Sequence, residues 1–152
     1  MQRVHQPWRD FLETLVGRGV AVGDYDNDGQ ADLVFSHNGG PLKLLRNETK
    51  TGNHWLRLEL VGDGKKSNRN AIGARVEIEV AGRKLTRFVT GGGSYLSASD
   101  RRVLVGLGIA AKAERVTVIW PSGQKQDFHE LDGDTGWRLR EGVAKAERVS
   151  TK

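Results

Sequence analysis

The chain has 152 residues, 37% hydrophobic and 28% charged, with a formal net charge of +5 and a mean hydropathy of −0.52. That length bounds it to one ordinary domain, or a small domain plus a fragment. No apolar run approaches the ~20 residues a membrane helix needs, and the absence of cysteine excludes disulfides and thiol chemistry.

Residues 1–18 read as an irregular lead, with a short helical turn at Trp8-Arg9-Asp10-Phe11-Leu12. The opening Met1-Gln2-Arg3-Val4-His5 has no apolar stretch of the signal-peptide kind. For an exported parent, the leader is therefore expected outside this sequence.

Gly19-Val20-Ala21-Val22 and Leu33-Val34-Phe35 are short, apolar and rich in β-branched residues, which predicts two strands. Between them lies Asp24-Tyr25-Asp26-Asn27-Asp28-Gly29-Gln30-Ala31-Asp32. Calcium takes six to eight oxygens, and alternating aspartates around a tight glycine turn can supply them. Asp24, Asp26 and Asp28 are the expected side-chain ligands, Gln30 gives its backbone carbonyl, and Asp32 closes the shell. An EF-hand is excluded, because its twelfth position needs Glu and its flanks need helices; Phe35 stands at that position and the flanks are strands. A metal-free hairpin turn rich in Asp and Gly is the plain alternative. It gains nothing from four converging carboxylates, which repel one another unless a cation sits among them.

A Gly39-Gly40-Pro41 turn leads to a third strand, Leu42-Lys43-Leu44-Leu45, and a polar break follows at 47–53. Beyond it the pattern changes to long alternating strands. Leu56, Leu58 and Leu60 face one way and Arg57 and Glu59 the other; Val76, Ile78 and Val80 alternate with Glu77 and Glu79; Val116, Val118 and Trp120 alternate with Thr117 and Ile119. Further strands are expected over 84–90, 101–106, 124–129 and 136–140. Period-two patterning at this spacing, with no helix-length segment and with 20 glycines against three prolines, predicts an all-β, antiparallel sandwich or barrel. The charged end of the chain, 142–152, is expected to fray.

Residues 19–33, with Leu42-Lys43-Leu44-Leu45-Arg46-Asn47, resemble one FG-GAP/VCBS repeat, the calcium-binding blade unit of integrin-α-type β-propellers. The rest resembles the ASPIC/UnbV domain. The matching stretches are Asn53-His54-Trp55-Leu56, Asn68-Arg69-Asn70-Ala71-Ile72-Gly73-Ala74-Arg75-Val76, Gly92-Gly93-Ser94-Tyr95-Leu96-Ser97, Val105-Gly106-Leu107-Gly108 and Trp120-Pro121-Ser122-Gly123. Together the two cover about residues 17–141. The resemblance implies a partial propeller blade at 19–52, a sandwich at 53–141, and a parent protein with further blades. It also implies a secreted or periplasmic protein that binds or adheres, and it supplies no catalytic residue.

Other motifs lead nowhere catalytic. Gly106-Leu107-Gly108 mimics a dinucleotide fingerprint, but the next strand begins near Arg115 and leaves no room for a helix. His5, His37, His54 and His129 have no paired spacing for a transition metal. Trp55, Tyr95, Trp120 and Trp137 sit at strand ends or turn edges and could stack on sugar rings, although Trp55 and Trp120 equally suit a core. The reading is a non-catalytic, calcium-binding, extracytoplasmic binding or adhesion module for a polysaccharide or protein. The alternatives are a carbohydrate-active enzyme or accessory carbohydrate-binding module, and a basic polyanion binder. Lysines and arginines interleaved with acids favour a mixed, solvated face over a nucleic-acid surface.

Overall fold

The computed structural model describes residues 2–3, 14 and 16–149; the Trp8–Leu12 turn lies outside them. The chain forms two compact units, Met1–Lys50 with Gly91–Asp100, and Thr51–Thr90 with Arg101–Lys152. Every described element is a strand. Among the described residues no helix is long and apolar enough to cross a membrane.

The larger unit is a sandwich of two four-stranded sheets. One has the order β10 (Lys125–Asp132), β9 (Lys112–Ile119), β6 (Arg75–Val80), β7 (Arg83–Phe88); the other has the order β12 (Glu147–Val149), β11 (Thr135–Arg140), β5 (His54–Val61), β8 (Val103–Gly108). The alternating residues read from the sequence supply the core. Leu56, Leu58, Val76, Ile78, Val80, Val116 and Val118 are all fully buried. Alternation places every second side chain on one face, so each strand contributes a row of branched apolar groups to the space between sheets. Ala81 and Gly82 close the β6–β7 hairpin with φ of 48° and 70°, the mirror-image turn whose twist suits paired strands.

Three features depart from expectation. β5 and β11 pair in parallel, from Thr135↔Leu56 to Arg140↔Val61. Period-two alternation is common to both pairing senses, so the pattern could not tell them apart. The end of the chain does not fray through 149: β12 pairs with β11, and Ala146 packs against the core. Finally, β10 extends to Asp132, past the expected end at 129, and pairs with β9 in a single register from Lys125↔Ile119 to Asp132↔Lys112.

A polar network ties the loops at one end of the sandwich. One oxygen of Asp63 accepts the amides of Lys65, Lys66 and Ser67 at 2.8, 2.9 and 2.9 Å. Glu141 accepts the Asp63 amide at 3.0 Å and the Ser122 hydroxyl at 2.5 Å. The Ser67 amide, then that of Lys65, holds the Asp63 carboxyl below its ordinary value. Burial pushes the Glu141 carboxyl up, but its bonds to Ser122, Asp63 and Ser67 bring it below the ordinary value on balance. A carboxyl lowered on folding contributes stability that is complete above its unfolded pKa and is lost as pH falls through the folded one. The sandwich is therefore expected to keep constant stability from neutrality to about pH 5 and to weaken below about pH 4. Denaturant midpoints across that range measure this, and Asp63→Asn should flatten the acid side.

The smaller unit holds a sheet in the order β1 (Gln2–Arg3), β4 (Lys43–Leu45), β3 (Asp32–His37), β2 (Gly17–Gly23). β2, β3 and β4 pair antiparallel, and β1 joins β4 in parallel. The segment 91–100, expected within the sandwich, belongs to this unit instead. It lines the open edge of β2. The Ser97 hydroxyl donates to the Val20 carbonyl at 2.8 Å, the Val22 amide donates to the Ser99 hydroxyl at 3.2 Å, and the Asp100 amide donates to the Val22 carbonyl at 2.8 Å. Gly19 permits this approach, since a Cβ there would meet the Tyr95 carbonyl oxygen at 2.9 Å.

Candidate metal centre

β2 ends at Gly23 and β3 begins at its partner, Asp32, so residues 24–31 form the connection of a hairpin. The chain turns sharply there because Asn27 and Gly29 adopt φ of 62° and 86°; Gly has no Cβ to clash, and Asn tolerates this region better than most residues. Asp24, only 2% exposed, organises the turn from its first position. Its two oxygens accept the amides of Asp28 and Gly29 at 3.0 and 3.1 Å. The Asp28 carboxylate in turn accepts the Gln30 amide at 2.8 Å.

One ligand atom each from Asp24, Asp26 and Asp28 lies within 4.8 Å of the others. Carboxylates this close repel one another unless positive charge lies among them. Asp26 adds a second sign: its Oδ1 is buried and has no hydrogen-bond partner, a costly state for a carboxylate oxygen unless something positive completes it. Hard carboxylate oxygens suit calcium.

Asp32 behaves differently from the closing ligand expected of it. It is not among the converging carboxylates. Its oxygens accept the amides of Tyr25 and Asn47 at 3.1 and 2.8 Å, so it braces the two ends of the loop and the start of the segment after β4. Burial pushes its carboxyl above the ordinary value; the two amides oppose this, and the charges of Asp26 and Asp28 add to it. Gln30 lies on the loop, with its amide held by Asp28.

The residue that sequence reasoning missed is Arg46, directly after β4. Its Nε lies 2.7 Å from Asp26 Oδ2, one terminal nitrogen lies 3.4 Å from Asp28 Oδ2, and the other lies 3.6 Å from Glu48. The Asp26 charge is the largest cause raising its pKa. The only signal in the sequence was its place two strands beyond the acidic loop.

The four aromatic positions separate. Trp120 is 2% exposed in the sandwich core and donates its indole N–H to Gln126 at 3.1 Å; a ring with no free face cannot stack on a ligand, so it leaves the candidate set. Trp137 packs on the core margin, donates to the Asp132 carbonyl at 3.0 Å, and is covered by the Arg148 guanidinium 5.1 Å from its centroid. Trp55 is half-buried beside Arg57, 5.5 Å from its centroid. Tyr95 alone is well exposed, at 67%. Beyond Gly108 the chain passes from β8 directly into β9, with no helix to receive a phosphate.

Charges on the outer face of the β10-β9-β6-β7 sheet are paired rather than massed. Glu79 meets Arg115 at 2.5 Å, and Glu77 meets Lys84 at 2.7 Å and Arg75 at 3.1 Å. Their partners hold both glutamates below the ordinary range, led by Lys84 for Glu77 and Arg115 for Glu79. Asp127, bonded to the Thr117 hydroxyl, is lowered by it.

Comparison with known proteins adds the family. Human cartilage acidic protein 1 is 34% identical over 123 residues, covering 78% of this chain and 18% of that protein. The mouse and Xenopus tropicalis proteins of the same name are each 34% identical over 113 residues, covering 71% of this chain and 17% of theirs. The chain thus spans less than a fifth of these curated relatives. A candidate cell adhesion protein from Bacteroides uniformis overlaps 90% of each chain at 13% identity, with a TM-score of 0.31 that carries no argument. The family model for ASPIC and UnbV matches residues 64–146. That stretch begins after the acidic loop and runs through both sheets of the sandwich to the turn before β12. The chain belongs to the ASPIC/UnbV family.

Proposed function

We propose that this protein is a non-catalytic, calcium-stabilised binding module that works outside the cytoplasm, in adhesion to a protein or polysaccharide partner. The observation that carries the calcium reading is the approach of Asp24, Asp26 and Asp28 within 4.8 Å, with a buried Asp26 oxygen left without a partner. Asp24, Asp26 and Asp28 would hold the ion, the Gln30 carbonyl would add an oxygen, and Asp32 would act by bracing the loop. Calcium would supply charge neutralisation and fold the turn tightly.

The partial-blade reading of residues 19–52 is supported by the sparse interior of that unit. Among its described residues, Leu44 is the sole buried hydrophobic side chain. A repeat that cannot bury its own faces depends on stacked neighbours, and further blades in a longer parent would provide them. The binding reading over an enzymatic one is supported by the carboxyls. Among the described residues, those outside the loop with a displaced pKa, namely Asp63, Glu77, Glu79, Asp127 and Glu141, are lowered, whereas a general acid needs to be raised. The mixed ion pairs of the sheet face argue against polyanion binding. An extracytoplasmic home fits, because weak calcium modules work where calcium is abundant.

Thermal unfolding in EDTA, in calcium and in magnesium tests the reading. At about 100-fold over the dissociation constant, one native-state site adds about 2.7 kcal/mol. This corresponds to a rise of about 5–10 °C for a chain of this size. Equal melting in EDTA and calcium would refute the ion.

A further inference from the structure

We infer that Arg46 is a built-in counter-ion that keeps the acidic loop folded without metal and lowers its affinity for calcium. The inference rests on the calcium reading above. Three carboxylates gathered within 4.8 Å repel one another, and a cation must offset that repulsion for the loop to hold its shape. Arg46 reaches two of the three, Asp26 at 2.7 Å and Asp28 at 3.4 Å, and Glu48 holds its remaining nitrogen at 3.6 Å. Its position is set by the backbone: the next residue, Asn47, donates its amide to Asp32 at 2.8 Å, which pins the end of β4 against the loop.

Arginine stays charged at any physiological pH, so this counter-ion does not titrate away. When a divalent cation enters, the guanidinium becomes a like charge beside it. It also engages Asp26 Oδ2 and Asp28 Oδ2, oxygens of two of the ligands. Both effects oppose the ion. Asp26 Oδ1, which has no partner, is the oxygen that remains available without displacing Arg46. The module would then bind calcium weakly and reversibly, responding to concentration rather than holding the ion permanently.

The test compares Arg46→Gln and Arg46→Lys with the parent, using calcium titration by calorimetry together with melting in EDTA. Gln keeps length and hydrogen bonding but removes the charge; Lys keeps the charge without the planar fork. The expected result is a calcium dissociation constant roughly tenfold tighter for Arg46→Gln, about 1.4 kcal/mol, with Arg46→Lys near the parent. In EDTA, Arg46→Gln should melt below the parent, and in saturating calcium the difference should shrink. Unchanged or weaker calcium binding in Arg46→Gln, with the parent still binding, overturns the inference alone. An unchanged EDTA melt overturns the counter-ion role. No calcium binding in parent or variants overturns the calcium reading and this inference with it.

Discussion

Trp120→Ala is expected to destabilise the sandwich by about 3–5 kcal/mol, the range for truncating a large buried aromatic side chain. Trp120 is 2% exposed and lies just past β9, between the two sheets. Removing the indole leaves a cavity that flanking valines cannot fill, because β-branched side chains have few rotamers to move into. It also strips Gln126 of the N–H it accepts at 3.1 Å. The Trp120-to-Gly123 turn keeps its backbone bonds, Gly123 N to Trp120 O at 2.9 Å and Trp120 N to Gln124 O at 2.8 Å. The loss should therefore come from packing and not from a broken hairpin. Denaturant unfolding should show a lower midpoint with little change in slope. Phe88→Ala is the control: that ring is 61% exposed, and its loss should change stability by no more than about 0.5 kcal/mol. A loss below about 1 kcal/mol for Trp120→Ala would contradict its placement in the core.

Asp24→Ala and Asp26→Ala should both abolish the calcium-dependent rise in melting temperature, yet differ sharply in EDTA. Asp24 is buried, and its oxygens accept the Asp28 and Gly29 amides. Hydrogen bonds to a charged group contribute about 1.5–3 kcal/mol each, so without Asp24 the loop should lose its conformation even in EDTA. Asp26 supports no backbone amide in this way. One of its oxygens meets Arg46 at 2.7 Å and the other is unpartnered. Removing it relieves repulsion among the acids while losing a partly exposed ion pair, which is worth about 0–1 kcal/mol. Hydrogen exchange separates the two: amides 25–30 should lose protection in Asp24→Ala and keep it in Asp26→Ala, and the sandwich strands should stay protected in both. A full calcium response in Asp26→Ala would place the ion elsewhere.

The two substitutions also show why the loop was only half legible. The convergence of Asp24, Asp26 and Asp28 around Gly29 is legible in their alternation, since the three carboxylates come from one short stretch and local geometry brings them together. The distinction between a ligand and a brace depends on what lies across from each carboxylate. Asp32 turns into a brace because Tyr25 and Asn47 present their amides to it, and Asn47 arrives from the segment after β4. Arg46 was invisible as a site residue for the same reason.

The strands of the sandwich were legible for a related reason. A strand with one buried face must alternate, and 56–60 and 76–80 do so without interruption, while 116–120 does so but for Ile119. The aromatics were not, because a tryptophan at a strand end serves equally as core or platform. Trp120 entered the core, and Trp137 was covered by an arginine from β12, a strand whose sequence carries three residues and no pattern.

Local chemistry therefore sufficed for the all-β class, the core rows and the acidic loop, all of which are set by neighbours within a few residues. Tertiary structure alone decided the parallel β5–β11 pair, the return of 91–100 to the edge of β2, and the meeting of Arg46 with Asp26 and Asp28. Each of these joins segments far apart in the chain or on different strands. Their partners are chosen by unsatisfied backbone groups and uncompensated charge, which no spacing along the sequence records.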